Sequence, residues 1–406
     1  MFIYILICNK NFSLFFFSQE GLYNYSAMKE LLRKLIRAET TAQKGELAAA
    51  EIISDELGRS GIDCRIDSWG LNRANLTAQV KSAGRKGGLL FLCHLDVVAA
   101  GQAGWKYPAF AGVESEGKIY GRGSADMKGG IAAVVTAIRE IVDSGTKLKG
   151  DIIFFAAAGE ETDSCGVKRF ISNFNPPAFL RKQEGGPKIA GVVIPEPTDF
   201  DVVTAHRGML WLKIKTVGKA AHSSTPELGV NAIASMKILL AELDNYKIRF
   251  EPHKLLGGCS MSVNTIAGGK EINVVPAECS IGIDIRTLPG QQFQEIISDF
   301  EKIFAKLKQK NSQFKASVSV MREVGALETD LSCDFVKDFC SAVEASETKA
   351  VGFTTDGPHL APLGAPVVIF GPGKPQLAHK PDEYIDIADV GKAVEYYKNI
   401  ILKFLA

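Results

Sequence analysis

Residues 89–96 read Leu-Leu-Phe-Leu-Cys-His-Leu-Asp: five apolar residues in a row, then a histidine and an acid. So short an uninterrupted apolar run suits a strand covered on both faces, as in a sheet between helices. Three more such runs follow, at Ile152 to Ala158, Ile189 to Ile194 and Val367 to Phe370. Between the first two, Ile131, Val134, Val135, Ile138 and Ile141 mark one face of a helix over Met127 to Asp143. Upstream, MKELLRKLIRAE from Met28 and ELAAAEIISDELGRSG from Glu46 also carry apolar residues at helical spacing. Helices alternating with buried strands predict a layered α/β domain.

The middle of the chain follows another rhythm. Met209 to Val217 alternates like a half-exposed strand, and Val230 to Tyr246 is an amphipathic helix. Strands at Cys259 to Ile266 and Glu278 to Ile285, a helix at Gln291 to Lys310 and a strand at Phe314 to Met321 complete the series. The order β-α-β-β-α-β predicts a ferredoxin-like antiparallel sheet with two helices. This smaller α+β domain, residues 205–322, is inserted into an α/β domain formed by residues 28–204 and 323–406. Residues 1–27 read as an extension outside the fold. They lack a basic n-region, Asn9-Lys10-Asn11 breaks their apolar run, and no small-x-small cleavage site closes them. That argues against a signal peptide and for Met28 as the natural start.

Composition narrows the function. A chain of 406 residues can build two cores, and 46% hydrophobic with 23% charged residues is a globular balance. A formal net charge of +1 leaves no basic excess for nucleic acid, and no run of eighteen apolar residues offers a membrane helix. The eight cysteines are scattered singly with no C-x-x-C pair, as expected of reduced thiols in a cytoplasmic protein.

The polar residues that end the buried runs are the informative ones. The first ends in His94-Leu95-Asp96, the second leads to Glu160-Glu161, the third to Glu196, and the fourth is followed by His379; Asp126 opens the intervening helix. Ligand sites of open α/β sheets form outside the carboxyl ends of the strands, so these side chains can converge. Each also has an ordinary structural reading: Asp126 as a helix cap, Glu160-Glu161 as a solvated pair, His94 as a strand-end histidine, His379 as a loop residue. Together, three carboxylates and two imidazoles match two Zn²⁺ ions, which lower the pKa of bound water toward 7. One of the adjacent glutamates can bind metal while the other serves as general base, and Asp96 can fix the His94 tautomer. On spacing alone, a shared metal site and separate structural roles both stay open.

The motifs HLDVV (94–98), GRGSADMKGG (121–130), AAGEE (157–161), PEPT (195–198), AAHSS (220–224) and AHKPDEY (378–384) together resemble the zinc aminoacylase and exopeptidase family. That family includes acetylornithine deacetylase, succinyl-diaminopimelate desuccinylase, aminoacylases and glutamate-type carboxypeptidases, and the resemblance runs from Leu89 to the C-terminus. It implies a zinc-exopeptidase-like α/β/α catalytic domain, an inserted dimerisation or lid domain, and hydrolysis of linear amides. By that resemblance His94, Asp126, Glu161, Glu196 and His379 hold two Zn²⁺ per chain, with Co²⁺ able to substitute, and Asp126 bridges them. Asp96 orients His94, and Glu160 is the general base. His222 resembles an oxyanion-stabilising histidine delivered across a homodimer interface by the partner's small domain. Arg286 resembles a clamp for the substrate α-carboxylate, Asn273 a residue that helps hold substrate or oxyanion, and Thr355 with Asp356 a substrate-facing loop. For His222 a helix-capping turn, and for Arg286 a surface salt bridge, are the ordinary alternatives; His206 and His359 read as structural or peripheral.

Within the family, Ala378 to Tyr384, with Pro375 four residues before His379, resembles the acetylornithine deacetylase form. So does His222-Ser-Ser-x-Pro followed by Gly-Val-Asn-Ala-Ile, whereas Thr355-Asp356-Gly357 leans toward the desuccinylases. The expected substrate is a small N-acyl amino acid. A dipeptidase or carboxypeptidase of the same family and a non-catalytic binding module are the rivals, and the module is disfavoured because no ligand or base is missing. No H-E-x-x-H or G-x-S-x-G occurs, and Gly371-Pro-Gly-Lys-Pro lacks the spacing of a phosphate cradle.

Overall fold

The computed structural model describes residues 19–84, 86–102, 104–172 and 189–406, with side chains from Tyr25 onward. Two compact units emerge. The larger comprises the chain up to Thr204 with Thr329–Lys349 and His359–Ala406; the smaller comprises Ala205–Glu328 with Ala350–Pro358.

In the larger unit the four apolar runs are four neighbouring parallel strands, in the order Ile152–Ala157, Gly88–His94, Ile189–Ile194, Val367–Ile369. Every residue of the first two is buried, which is why they carry no alternation. A hairpin of Cys64–Trp69 and Arg73–Val80 extends the sheet antiparallel, Leu76 lying opposite Ala156. Phe91 and Phe154 from the sheet share one core with Leu35, Ile53, Ile138, Phe339 and Tyr397 of five helices. The Tyr397 hydroxyl donates to the Phe370 carbonyl at 2.9 Å, so its buried polar end is satisfied.

Two elements differ from the expectation. The first helix spans Gln19–Arg37 and so begins before Met28, because Tyr25, Met28 and Leu32 share one face and Tyr25 packs on the core. Residues 1–18 of the expected extension lie outside the described residues. The helix after the first strand starts at Gly129, since Asp126 (φ −120°, ψ 94°) and Met127 (φ −129°, ψ 30°) have non-helical backbone. Among the described residues no helix is long and apolar enough to cross a membrane.

The smaller unit is a four-stranded antiparallel sheet in the order Ser260–Gly268, Glu278–Thr287, Gly208–Val217, Ala316–Val324, with helices Ala232–Leu243 and Phe293–Lys310. Leu210, Leu212, Ile214, Ile281, Ile283 and Ile285 face those helices around Phe300. That one-sided burial produces the alternation seen in the sequence. The unit's ends meet, with His206 and Ala205 pairing with Leu327 and Glu328.

Candidate active site

The carboxyl ends of the parallel strands deliver a compact cluster. His94 is the last residue of its strand and is buried. Its Nε2 lies 3.1 Å from Asp126 Oδ1 and 3.5 Å from Glu196 Oε1. His379 Nε2 lies 2.8 Å from Glu161 Oε1 and 3.3 Å from Asp126 Oδ2. One carboxylate, Asp126, therefore presents one oxygen to each imidazole. Ligand atoms of His94, Asp126 and Glu161 all fall within 4.8 Å of one another, a spacing that could hold a metal ion.

Local backbone places each group. Gly159, with φ +78°, turns the chain out of its strand toward Glu160 and Glu161; a Cβ there would stand 2.5 Å from Arg73 Nη2. Gly123, with φ +82°, does the same before Asp126, where a Cβ would meet Val97 at 2.5 Å. His379 itself has φ 63°, an uncommon conformation for a residue with a Cβ.

Asp96 differs from the expectation in detail. The nearest acceptor to His94 Nδ1 is the Asp96 backbone carbonyl at 3.0 Å, while its carboxylate is 3.6 Å away. That carboxylate instead accepts the backbone N–H groups of Glu160 and Glu161, each at 3.0 Å. The buried Glu160 N–H and the half-buried Glu161 N–H find their acceptor there. Asp96 thus touches both the His94 ring and the turn of the two glutamates.

Electrostatics follow from crowding three carboxylates. Burial, then the Asp126 charge, pushes Glu196 up to about 7, and the same two causes raise Glu161. Burial would also raise Asp126, but hydrogen bonds from His379 and His94 hold it well below the usual carboxylate range. Bonds to Asp126 and Glu161 push His379 up to about 10, and His94 rises because Glu196 and Asp126 outweigh burial. All these shifts express a demand for positive charge between the carboxylates, which protons or divalent cations can meet. A set of imidazole nitrogens and carboxylate oxygens fits zinc.

The remaining predicted residues lie on the smaller unit. His222 pairs with Val274 on a two-stranded ribbon, and the Ser223 N–H donates to the Asn273 carbonyl at 3.0 Å, so His222 and Asn273 are neighbours. The Ser224 backbone N–H donates to His222 Nδ1 at 3.2 Å, which makes Nδ1 an acceptor and leaves the neutral ring's proton on Nε2. Arg286 forms a two-pronged ion pair with Asp284, Nε to Oδ1 at 2.9 Å and Nη2 to Oδ2 at 3.0 Å. Thr355 is fully buried, its hydroxyl 3.1 Å from His206 Nε2 and accepting the Gly357 N–H at 3.1 Å. Burial pushes His206 down to about 4, so it is neutral; Nδ1–H donates to the Arg207 carbonyl and Nε2 accepts from Thr355. Two side chains beside the cluster had drawn no attention in the sequence, Arg122 and Glu383, although both sit inside recognised motifs.

A parallel sheet whose carboxyl ends gather three carboxylates and two imidazoles has the layout of a metal-dependent hydrolase. The model of peptidase family M20/M25/M40 matches residues 90–403, and the chain belongs to that family, a hydrolytic enzyme acting on amide bonds. It is 29% identical to a probable succinyl-diaminopimelate desuccinylase of Staphylococcus aureus (strain MSSA476), covering 93% of this chain and 97% of that protein. It is 30% identical to an acetylornithine deacetylase of Proteus mirabilis (strain HI4320), covering 92% and 96%. Its fold is that of an M20 family metallo-carboxypeptidase from Sulfolobus solfataricus, with TM-score 0.74, 18% identity, and 94% and 98% of the chains covered.

Proposed function

We propose that this enzyme removes the acyl group from an N-acyl amino acid by means of two zinc ions, with N-acetylornithine as its substrate. The observation that carries the reading is Asp126, one carboxylate shared between two imidazoles that each have a second carboxylate partner. His94 and Glu196 would hold one ion and His379 and Glu161 the other, with Asp126 within reach of both; Co²⁺ would be able to replace Zn²⁺. Bound at these residues, the ions would supply polarisation of the scissile carbonyl and a more acidic water. Glu160, on the turn pinned by Asp96, takes the proton from the attacking water and passes it to the leaving nitrogen. His222 donates its Nε2–H to the oxygen on which negative charge develops. The Arg286 guanidinium binds the substrate α-carboxylate, with Asp284 holding the fork in plane. Asn273 lies beside His222 and supports the same oxygen or the substrate, and Thr355 shapes the substrate loop from beneath.

His222 acts in trans within a homodimer. Strand Ser260–Gly268 is one of the two edges of its sheet, and Val263, Ile266, Ile272, Val274 and Ile233 expose apolar surface around it, which supports pairing of this edge with a second copy.

The acetyl group is favoured by the motif forms around His379 and His222 and by the deacetylase relative. Succinyl-diaminopimelate is the second reading, carried by the desuccinylase relatives; either would place the enzyme in amino-acid biosynthesis. The test is turnover on a panel of N-acetylornithine, N-succinyl-diaminopimelate and dipeptides with zinc or cobalt added. The highest kcat/KM on N-acetylornithine supports the proposal. A preference for the succinyl compound or a dipeptide moves the substrate, and no metal-dependent amide hydrolysis overturns the reading.

A further inference from the structure

After His379 the chain turns back along the loop that carries Asp126. Glu383, in that returning segment, is buried. Its Oε1 accepts the backbone N–H groups of Ala125 at 3.0 Å and Asp126 at 3.2 Å. Its Oε2 accepts from Arg122 Nη1 at 2.6 Å, and the same nitrogen lies 3.3 Å from the Lys380 carbonyl. Backbone contacts join the same segments: the Gly121 N–H donates to the Glu383 carbonyl at 2.8 Å, and Tyr384 pairs with Tyr120. The loop before Asp126 and the segment after His379 therefore hold each other.

The loop holds itself only in part: the Ser124 and Lys128 N–H groups donate to the carbonyls of Gly121 and Gly123, while those of Ala125 and Asp126 reach outside it to Glu383. Gly121 and Gly123 have positive φ, and Asp126 and Met127 are neither helical nor in a strand. Backbone donors in such a loop need an outside acceptor, and one carboxylate oxygen supplies it for two successive residues. Arg122 balances the charge of that carboxylate in the buried setting.

We propose that Glu383 is a positioning residue of the candidate metal centre. It fixes the Asp126 backbone so that one carboxylate reaches both imidazoles, and it ties that carboxylate to the segment bearing His379. The inference rests on the reading of the cluster as a metal centre. A shift of Glu383 would move Asp126 relative to both histidines at once, so zinc affinity is what should register it. Partners behind the ligands of metal sites are worth about 10–100-fold in metal affinity.

The experiment is competition for Zn²⁺ between the protein and a chromophoric chelator, with melting of the metal-free chains as the control for folding. In the pair E383M/R122M the acceptor and the charge disappear together at similar volume. In E383Q/R122Q an amide oxygen still meets both N–H groups. The Met pair should bind zinc about 10–100-fold more weakly than the parent, while the Gln pair stays within about threefold. E383D keeps the charge but falls a methylene short of the N–H groups, and it should also lose at least about tenfold, which covers a Met pair that does not fold. Parent-like zinc affinity in a folded Met pair or in E383D overturns the inference. So does a Gln pair as weak as the Met pair, since the charge would then be the cause. A parent that takes up no zinc overturns the underlying metal reading instead, so the two failures are distinguishable.

Discussion

Asp96→Asn is a change of one atom, and the structure says it should be severe. Both carboxylate oxygens of Asp96 are occupied, one by the N–H of Glu160 and one by the N–H of Glu161, each at 3.0 Å. Asparagine has one oxygen and one NH2, so whichever way it flips, a donor faces a donor. One charge-assisted hydrogen bond is lost, about 1.5–3 kcal/mol, and a buried N–H is left unmet, about 1–3 kcal/mol more. Relaxation of the turn recovers part of this, so a net loss of roughly 3 kcal/mol is expected. At about 2–4 °C per kcal/mol, the melting temperature should fall by roughly 6–12 °C. The same displacement moves Glu160 and Glu161, so amide turnover and metal content should fall too, by about 10–100-fold in affinity. Thermal melting of chelator-treated protein, metal content after dialysis and turnover with zinc together read all three effects. Asp96→Asn melting within 2 °C of the parent, or retaining full turnover, would refute the role assigned to this carboxylate.

Glu160→Gln, nearly isosteric but unable to take a proton, should keep its metal while turnover falls by at least roughly 10²-fold; metal loss on substitution would exchange the roles of Glu160 and Glu161. Mixing inactive His222→Ala with inactive Glu160→Gln chains should restore part of the activity through heterodimers, in which one site carries both lesions and the other neither. Exchange of subunits without rescue would mean that His222 acts within its own chain. His206 has a folded pKa of about 4 against an ordinary 6.5, so the unfolded chain takes up its proton first as pH falls. Its contribution is therefore complete above about pH 6.5 and is lost progressively toward about pH 4, on the order of 3 kcal/mol. Melting temperature measured across that window should slope less in His206→Gln, and an unchanged slope would count against the buried neutral imidazole.

Much of this is legible in the sequence. Leu89 to Cys93 and Ile152 to Ala158 announce parallel strands because burial on both faces removes polar residues altogether, and the acids that follow must stand at the strand ends. The inserted sheet was legible because one-sided burial leaves an alternation. Glu383 was not, since an acid beside Asp382 in a segment without periodicity carries no signal, and its value lies in meeting backbone donors of a loop more than 250 residues earlier. Only the His94 side of Asp96 could be read from the sequence, and its second contact, with the turn of Glu160 and Glu161, could not. Sequence adjacency suggests His94, whereas the backbone N–H groups of Glu160 and Glu161 come to the carboxylate from a turn more than sixty residues later. The start of the first helix was missed because apolar and polar residues mix in the segment before Met28, and only packing shows Tyr25 as part of the core.

The order of the parts along the chain has a consequence for how the enzyme is made. His94, Asp126, Glu161 and Glu196 all precede the inserted unit, while His379 follows it. The strand Val367–Ile369 that completes the parallel set and the helix Ile387–Leu405 that brings Tyr397 into the core come from the same late stretch. A ribosome therefore releases nearly the whole small unit as a contiguous segment before the large unit has its last strand, last helix or second imidazole. The parallel set and the cluster draw on residues from both sides of the inserted unit, so neither can close until residues 367–405 have emerged.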